Sequence, residues 1–200
     1  FLLDAHITST AWMRPLLGVP LDIHAPLTLS ARLDDKRQHL TLNALIDAFS
    51  YNDKLYRNAS LSMASPIDTL HLNAHVVKQM DNGDNMTLKA VCSAANNRLS
   101  TSLRWANDSR EKKTSGEINS IASLFTDQND RTAATISIIP SHINIGDKQW
   151  NVVASNISYS KNNIAVDGFK IEHGQQYIII NGRASDSPAD SLRIDLRSVD

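Results

Sequence analysis

The stretch GFKIEHGQQYIIINGRAS, residues 168–185, predicts two β-strands joined by a turn. Apolar and charged residues alternate over residues 169–172, and His173-Gly174 then supplies the turn. Residues 177–180 place apolar side chains on both faces of the second strand, and Asn181-Gly182 is predicted to end it. The stretch raises a question about covering: this hairpin has an apolar face, yet the chain contains almost no predicted helix to pack on it.

The same alternation of apolar and polar residues recurs along most of the chain. Each run predicts a strand with one apolar and one polar face, because successive side chains of a strand point to opposite sides. The apolar positions of these runs are Leu27, Leu29, Ala31, Leu33; Leu40, Leu42, Ala44, Ile46; Leu70, Leu72, Ala74, Val76; Met86, Leu88, Ala90, Cys92, Ala94; Leu99, Leu103, Trp105; Ile164, Val166; and Leu192, Ile194, Leu196.

Short clusters rich in Asn, Asp and Gly separate the runs and predict turns. These clusters are Asp34-Asp35-Lys36, Asn52-Asp53, Asp81-Asn82-Gly83, Asn96-Asn97, Asn107-Asp108, Gly146-Asp147 and Lys161-Asn162-Asn163. Parallel pairing would need crossovers of about a dozen residues or more, usually helical, and the sequence lacks them. The chain is therefore predicted to be an antiparallel meander.

Two segments, residues 9–18 and 119–126, depart from the alternation and predict short helices. Each begins with a candidate N-cap, Ser9 or Thr10 in the first and Asn119 or Ser120 in the second, followed by a helical apolar stripe. The two segments form a weak internal repeat. The sequence accordingly predicts two units that join near residue 113, namely 1–113 and 114–200, each with one short helix.

Composition excludes several classes of function. The net charge is −1 and charged residues make up 20 % of the chain, so no basic excess exists to neutralise nucleic-acid phosphates. The single Cys92 cannot form an intrachain disulfide. No apolar run approaches the ~18 residues that a transmembrane helix requires. The chain begins without Met or a signal peptide and starts and stops at strand-like residues, so we expect it to be a piece of a longer protein.

The candidate chemical sites favour structural interpretations. His71 and His75 lie on the polar face of a predicted strand, roughly 13 Å apart at about 3.3 Å per residue, so one metal ion cannot bridge them. Residues 81–85 resemble a calcium loop but lack its spaced acidic ligands, which favours a hairpin turn. Cys92 lies in the apolar phase, and no Gly-x-Ser-x-Gly motif occurs. The sequence predicts neither an enzyme nor a bound metal or cofactor.

Two interpretations of the apolar stripes remain open. They could form an ordinary sandwich core, or they could line a site for lipid acyl chains. Leu and Ile dominate the stripes, Ala is interleaved, and aromatic residues are only 6 % of the chain, which is few for filling a core. Each CH₂ group removed from water contributes about 0.8 kcal/mol, so shielding a chain of ~16 carbons is worth on the order of 12 kcal/mol.

The last third of the chain resembles a known family. The segment IIPSHINIGDKQWNVVASNISYSKNNIAVDGFKIEHGQQYIIINGRASDS, residues 138–187, resembles the C-terminal region of the translocation and assembly module TamB family, in the AsmA-like superfamily, and especially its long Bacteroidetes-type members. The resemblance is specific over residues 139–185 and only textural elsewhere. The matching positions are Ile139-Pro140-Ser141, Gly146-Asp147, Trp150, Ile164, Val166, Phe169, Ile171, Gln176-Tyr177-Ile178, Gly182 and Ser185.

The resemblance implies a fold and a function. The fold would be all-β, a long curved antiparallel meander sheet folded into a U-shaped trough (a β-taco), whose apolar faces need no helix because the sheet bends around them. The protein would be periplasmic and anchored in the inner membrane by a helix outside this chain. It would conduct phospholipid between the inner and outer membranes or, in the alternative, assist assembly or secretion of outer-membrane β-barrel proteins. The family has no catalytic motif to carry over.

The expected partners are phospholipid acyl chains and, for the full-length protein, an outer-membrane barrel protein; nucleic acid is not expected. Two other hypotheses remain: a scaffold that pairs client strands with an exposed sheet edge, and an adhesive or carbohydrate-binding β-sandwich with exterior aromatic platforms. Thirteen aliphatic residues of the stripes are predicted to line the lipid groove. They are Leu27, Leu29, Leu40, Leu42, Leu70, Leu72, Leu88, Leu103, Val166, Ile178, Ile180, Leu192 and Ile194.

Overall fold

A computed structural model describes residues 1–12, 15–16 and 18–197, and the regular secondary structure of these residues is almost entirely β-strand. The strands in chain order are β1 Leu2–Ile7, β2 Leu21–Ile23, β3 Leu27–Asp34, β4 His39–Tyr51, β5 Lys54–Ser65, β6 Thr69–Gln79, β7 Asn85–Ala95, β8 Arg98–Asn107, β9 Thr114–Thr126, β10 Thr132–Ile145, β11 Lys148–Val152, β12 Ser155–Ser160, β13 Asn163–His173, β14 Gln176–Ser185 and β15 Leu192–Arg197.

The strands form one long antiparallel meander sheet, ordered along the chain from β1 to β15. Two short strands leave this path: β2 pairs with β4, and β12 pairs with β10 and β13. The predicted all-β antiparallel meander is thus confirmed. The U-shaped curvature of the sheet stays a prediction.

The turns fall at the predicted Asn, Asp and Gly clusters. Asn52-Asp53 joins β4 to β5 with φ angles of 49° and 60°, and Asn96-Asn97 joins β7 to β8 with 49° and 59°. Two consecutive positive φ angles characterise the type I′ turn, whose twist matches that of the flanking strands. Asn and Asp tolerate this conformation because their short polar side chains can hydrogen-bond locally.

The predicted helix over residues 119–126 is wrong, because these residues belong to β9. Their backbone pairs continuously with β10, from Asn119 opposite Ile139 to Thr126 opposite Thr132. The stripe that suggested a helix is only about two turns long, and so short a helix is marginal without strong packing. Pairing with β10 supplies backbone hydrogen bonds along the whole segment instead. The internal repeat that rested on this helix is lost with it.

The other predicted helix, over residues 9–18, falls partly outside the described residues, since these omit Met13, Arg14 and Leu17. Pro15 and Leu16 are helical. The Leu16 N–H donates a hydrogen bond of 3.1 Å to the Trp12 carbonyl.

The chain divides into two compact units. Unit 1 comprises residues 1–93 and 104–110, and unit 2 comprises residues 94–103 and the chain from residue 111 onward. The main segment of unit 2 thus begins close to the junction predicted at residue 113, and the tip of the β7–β8 hairpin is counted with unit 2.

Three neighbouring strands of unit 2 are interrupted side by side, at Ile139–Ser141 in β10, at Val153-Ala154 between β11 and β12, and at Asp167-Gly168 in β13. We call these sites the bulge row. The register of β10 is the same with β11 as with β12, so β11 and β12 act as one strand broken opposite Ile139-Pro140. Proline cannot donate to the ladder, which explains the break at this point.

Along the bulge row, side chains form hydrogen bonds with backbone groups at the interruptions. The Ser141 hydroxyl accepts a bond of 3.0 Å from the Asn119 N–H and donates one of 2.8 Å to the Ile139 carbonyl. Gly168, at φ 64°, donates its N–H to Asn181 Oδ1 at 2.7 Å. Asn181-Gly182 therefore does not end its strand as predicted. It lies inside β14, where the Asn181 side chain serves the bulge of β13.

The buried apolar residues are few, and two of them, Ile138 and Val152, flank the bulge row. The buried apolar set of the described residues consists of Ala133, Ala134, Ile138, Trp150 and Val152, all of them in unit 2. In unit 1, no apolar side chain of the described residues reaches this degree of burial. Most residues of the apolar faces that the alternation produces are therefore half-buried or exposed.

Candidate functional site

Unit 1 carries two apolar rows that cross five neighbouring strands, β1 and β3 to β6. The register places directly opposite one another Leu3, Ala31, Leu42, Met63 and Leu72 in the first row, and Ala5, Leu29, Ala44, Leu61 and Ala74 in the second. We call this surface the unit 1 apolar face. Its members are half-buried, except Leu3, which is 40 % exposed.

The opposite side of the same strands is polar. One row across it consists of Asp4, Ser30, Asn43, Ser62 and Asn73. A shallow depression of about 360 Å³ on this side is bordered by the polar residues Asn43, Ser62, His75 and Lys89 and also by Leu45 and Val91, which are well exposed. The contrast between the two sides means that water solvates one face of unit 1 readily and the other poorly.

The unit 1 apolar face contains a depression of about 180 Å³ lined almost wholly by apolar side chains. Its walls are Leu21, Ile23, Leu27, Ala44, Ile46, Phe49, Ala59, Ser60 and Leu61. Phe49 stacks on Tyr56 with ring centroids 5.1 Å apart. Such a concave aliphatic surface suits a flexible hydrocarbon ligand.

Unit 2 carries a second apolar surface on β13 to β15. Cross-strand partners place Ile171, Ile178 and Leu196 in one row and Phe169, Ile180 and Ile194 in the next. The bulge at Asp167-Gly168 brings Val166 to the same side as Phe169, although the two are three positions apart and strict alternation would place them on opposite sides. We call this surface, with Leu192, the unit 2 apolar face.

The outer strand of the unit 2 apolar face is the most exposed. Leu192, Ile194 and Leu196 of β15 are 43 %, 60 % and 65 % exposed. Aliphatic side chains at such exposure are costly in water at about 25 cal/mol per Å², so this surface is a candidate for contact with another apolar molecule.

The structure places the thirteen predicted groove residues in two groups. Six lie on the unit 1 apolar face: Leu27, Leu29, Leu40, Leu42, Leu70 and Leu72. Five lie on the unit 2 apolar face: Val166, Ile178, Ile180, Leu192 and Ile194. Of the other two, Leu88 is half-buried on β7, and Leu103 on β8 is 42 % exposed.

Several members of these faces were not among the predicted residues. Leu61 and Met63 of β5 alternate with serines, and Phe169 and Ile171 belong to the hairpin of residues 168–185. The period-two signal for these residues was present in the sequence. Alternation does not predict Phe49. It lies three positions after Ile46, so strict alternation would place the two side chains on opposite faces, yet both line the depression.

The accessible surface measures how incompletely these faces are covered. The chain exposes 13309 Å². Two separate compact domains of half its mass would together expose only about 11,300 Å² by the usual scaling of surface with mass. The excess holds whatever the arrangement of the two units, because the reference already counts both as fully separate.

The perturbed titratable groups lie at turns rather than on the apolar faces. Lys54 Nζ lies 2.8 Å from Asp81 Oδ1, and this bond raises the pKa of Lys54 and lowers the pKa of Asp81. The backbone N–H groups of Arg131 and Asn129 donate to Asp127 and lower its pKa. These carboxylates stabilise hairpin ends.

Within the described residues, no group of three or more His, Cys, Asp or Glu side chains is arranged to hold a metal ion. The same part of the chain contains no helix of the length and apolarity needed to cross a membrane.

Comparison with known proteins identifies no relative: no family model, curated protein or solved structure matches this chain.

Proposed function

We propose that this chain is a periplasmic segment of a TamB-like or AsmA-like envelope protein, and that its two apolar faces hold phospholipid acyl chains during transfer between the inner and outer membranes. One observation carries the proposal. Continuous apolar rows cross neighbouring strands within each unit, and their side chains are half-buried or exposed. The resemblance over residues 139–185 supports the choice of family.

The dimensions of the rows suit an acyl chain. A row that crosses five strands extends about 19 Å at roughly 4.8 Å per strand, which is comparable to a long acyl chain in its extended form. Alanine alternates with leucine along the second row, as in Leu29, Ala44 and Leu61. The small side chains leave shallow furrows between the large ones, so that methylene groups can contact both. In this proposal the sheet curves around these faces as a U-shaped trough.

The proposal has consequences for the whole protein. A helix outside this chain would anchor it in the inner membrane, and an outer-membrane barrel protein would receive the lipid. The chain itself would work without catalysis and without a cofactor, because passage along an apolar surface needs only comparable affinity at successive positions.

The test is binding of phospholipid to the purified chain by native mass spectrometry and by photo-cross-linking to a phospholipid with a diazirine in its acyl chain. Leu72→Glu places a charge in the first row of the unit 1 apolar face, and we expect it to reduce cross-linking to that face at least about tenfold, with cross-linking to the unit 2 apolar face unchanged, because a charge in the row must be desolvated. Asn73→Glu is the matched control, since Asn73 is the next residue of β6 and lies on the polar side.

Circular dichroism and thermal unfolding establish that both variants are folded before binding is compared. Equal cross-linking of Leu72→Glu and Asn73→Glu would contradict the proposal. So would the failure of the folded wild-type chain to bind phospholipid supplied in vesicles.

A second candidate function is a scaffold that adds client strands to a sheet edge during assembly of outer-membrane β-barrel proteins. The observation that favours it is the exposure of the terminal strands, with Leu2 of β1 67 % exposed and Ile194 of β15 60 % exposed. Photo-cross-linkers placed on the unit 1 apolar face that capture client protein and never lipid would favour this function over the first.

A further inference from the structure

We propose that one end of the unit 2 apolar face holds the polar end of a phospholipid, with an ester carbonyl on the indole N–H of Trp150 and the phosphate on the ammonium group of Lys148. The inference rests on the proposed function and adds the position and orientation of the lipid. Trp150 is only 7 % exposed, and its Nε1 atom is buried without a hydrogen-bond partner. Most buried side-chain donors in proteins are paired, so this exception calls for an explanation.

The register of the sheet places Trp150 on the same side as the unit 2 apolar face. Trp150 and Val152 are two positions apart in β11, so they share a side of the sheet. Val152 lies directly opposite Ile171, a member of that face. The ring of Trp150 also contacts the ring of His173, with centroids 5.6 Å apart, and His173 is two positions after Ile171 in β13. The indole therefore extends the apolar face onto β11.

The chemistry of the indole defines the partner that it requires. An indole N–H can only donate a hydrogen bond, so its partner has to be an acceptor. On β10 the residue opposite Trp150 is Ile143, which has no polar side-chain atom. The Nε1 atom is also shielded from water. The acceptor that suits this donor is therefore one that an apolar ligand carries into the face, and the ester carbonyl of an acyl chain is such a group.

Lys148 supplies a cation next to the indole. It lies two positions before Trp150 in β11, and so on the same side of the sheet, roughly 7 Å nearer the turn at Gly146-Asp147. Lys148 and Asp147 are both exposed, and neither forms an ion pair with any described residue. Lysine binds phosphate as a point charge. Only a few bonds separate the phosphate of a phospholipid from its ester carbonyls, so one lipid can reach both side chains.

Polarity changes along β11 in the same order as along a phospholipid. The exposed Lys148 is followed on the same side by the buried Trp150 and then by Val152, which is 1 % exposed. A phospholipid likewise passes from phosphate through ester groups to acyl chains. Trp and Lys occupy the corresponding levels where membrane proteins meet lipid headgroups. The acyl chain would lie on the row in which Val152, Ile171 and Ile178 are directly opposed.

Ser155 carries the other unpartnered buried atom on this side of the sheet, its Oγ. It is two positions before Ile157, which lies opposite Val166 of the unit 2 apolar face. Ser155 is roughly 16 Å from Trp150 at about 3.3 Å per residue, and its partner on β10 is Ile138. A phosphate held beside Ser155 would be desolvated among apolar side chains, which is costly. Ser155 is therefore the matched control for Trp150.

The test compares two phospholipids with the same headgroup and the same hydrocarbon chains, one with ester linkages and one with ether linkages, which lack the carbonyl oxygens. In competition measured by native mass spectrometry, the wild-type chain should prefer the ester lipid about three- to tenfold, as expected for one hydrogen bond to a buried donor. Trp150→Phe keeps an aromatic ring without the donor and should bind both lipids equally. Ser155→Ala should keep the wild-type preference.

Lysine variants test the phosphate contact. Lys148→Gln should weaken binding of both lipids about two- to fivefold at low salt, without changing the preference for the ester lipid, because the phosphate is common to both. Lys161→Gln removes an exposed lysine from the turn between β12 and β13 and should change neither quantity. Thermal unfolding establishes that all four variants are folded.

The indole N–H resonance of Trp150 gives a second readout in the unaltered chain, whether or not Trp150→Phe folds. The ester lipid should shift this resonance downfield, and the ether lipid should not. Equal binding of both lipids by the wild type, a preference that survives in Trp150→Phe, or unchanged binding by Lys148→Gln would overturn the inference and leave the proposed function in place. Failure of the folded wild-type chain to bind either lipid would overturn the proposed function itself.

Discussion

At the residue scale, Gly182 allows two neighbouring strands to approach each other closely. It lies in β14 opposite Leu192, with φ of 116°, a conformation that residues with a side chain rarely adopt. A Cβ atom at this position would collide with the carbonyl oxygen of Ser191 and would lie 3.3 Å from the Leu192 Cα. The start of β15 can approach β14 only because residue 182 has no side chain.

We predict that Gly182→Ala lowers the free energy of unfolding by at least about 2 kcal/mol, since it adds a steric collision to an unfavourable φ. Gly174→Ala is the control. Its φ of 58° is also positive, but an added Cβ meets nothing within 4 Å, so only the backbone cost of about 1 kcal/mol applies. Urea unfolding measures both, and equal losses for the two variants would be inconsistent with the close approach.

At the scale of elements, the bulge row changes which side chains of unit 2 share a face of the sheet. The break between β11 and β12 lies opposite Ile139-Pro140 and leaves the register with β10 unchanged, whereas the bulge at Asp167-Gly168 shifts the pairing of β13 with β14 by one residue. Val166 and Phe169 consequently share a face, and the buried residues Ile138 and Val152 lie on either side of the break. Aligned bulges increase local twist and bend a sheet, so the bulge row is where unit 2 departs from a flat surface.

Ser141 is the residue on which the bulge in β10 depends most. Its hydroxyl is bound to both Asn119 and Ile139, and the residue is 9 % exposed. We predict that Ser141→Ala destabilises the protein by about 1–3 kcal/mol, because the Asn119 N–H is left without its acceptor in a partly buried site.

Ser158→Ala is a suitable comparison, since Ser158 is an exposed residue of the neighbouring β12. Its expected effect is within about 0.5 kcal/mol, as for most surface substitutions. Chemical denaturation monitored by circular dichroism gives both values. A neutral Ser141→Ala would mean that water replaces the hydroxyl in satisfying the bulge.

At the scale of the whole molecule, the main feature is incomplete burial. The exposed 13309 Å² exceeds the value for two separate compact domains, and the fully buried apolar residues are confined to unit 2. Folding of this chain therefore removes less apolar surface from water than is usual for its length. Its stability must depend to a greater extent on the continuous backbone hydrogen bonding of the sheet.

Calorimetry can test this conclusion. A compact protein of 200 residues has a heat-capacity change on unfolding of about 2.4–3.0 kcal/mol/K. We predict a clearly smaller value here, because this quantity scales with the apolar surface exposed on unfolding. A value within the usual range would show that the apolar faces are covered in solution.

The sequence by itself determined the class of structure and most of the candidate site. Period-two alternation and the Asn, Asp and Gly clusters are local signals, and they predicted the strands, the turns and which residues share an apolar face. The same signals place Leu29 and Leu42 on one face and Ile178 and Ile180 on another. Local patterns suffice here because each strand repeats the same simple rule.

Only the tertiary structure decided the features that depend on pairing. The segment 119–126 became a strand because β10 offered it hydrogen bonds, which outweigh a short helical stripe. Val166 joined Phe169 because of the bulge that lies between them in β13, and Asn181 continues β14 because its side chain accepts the Gly168 N–H of that bulge. Register links residues far apart along the chain, so no local pattern encodes it.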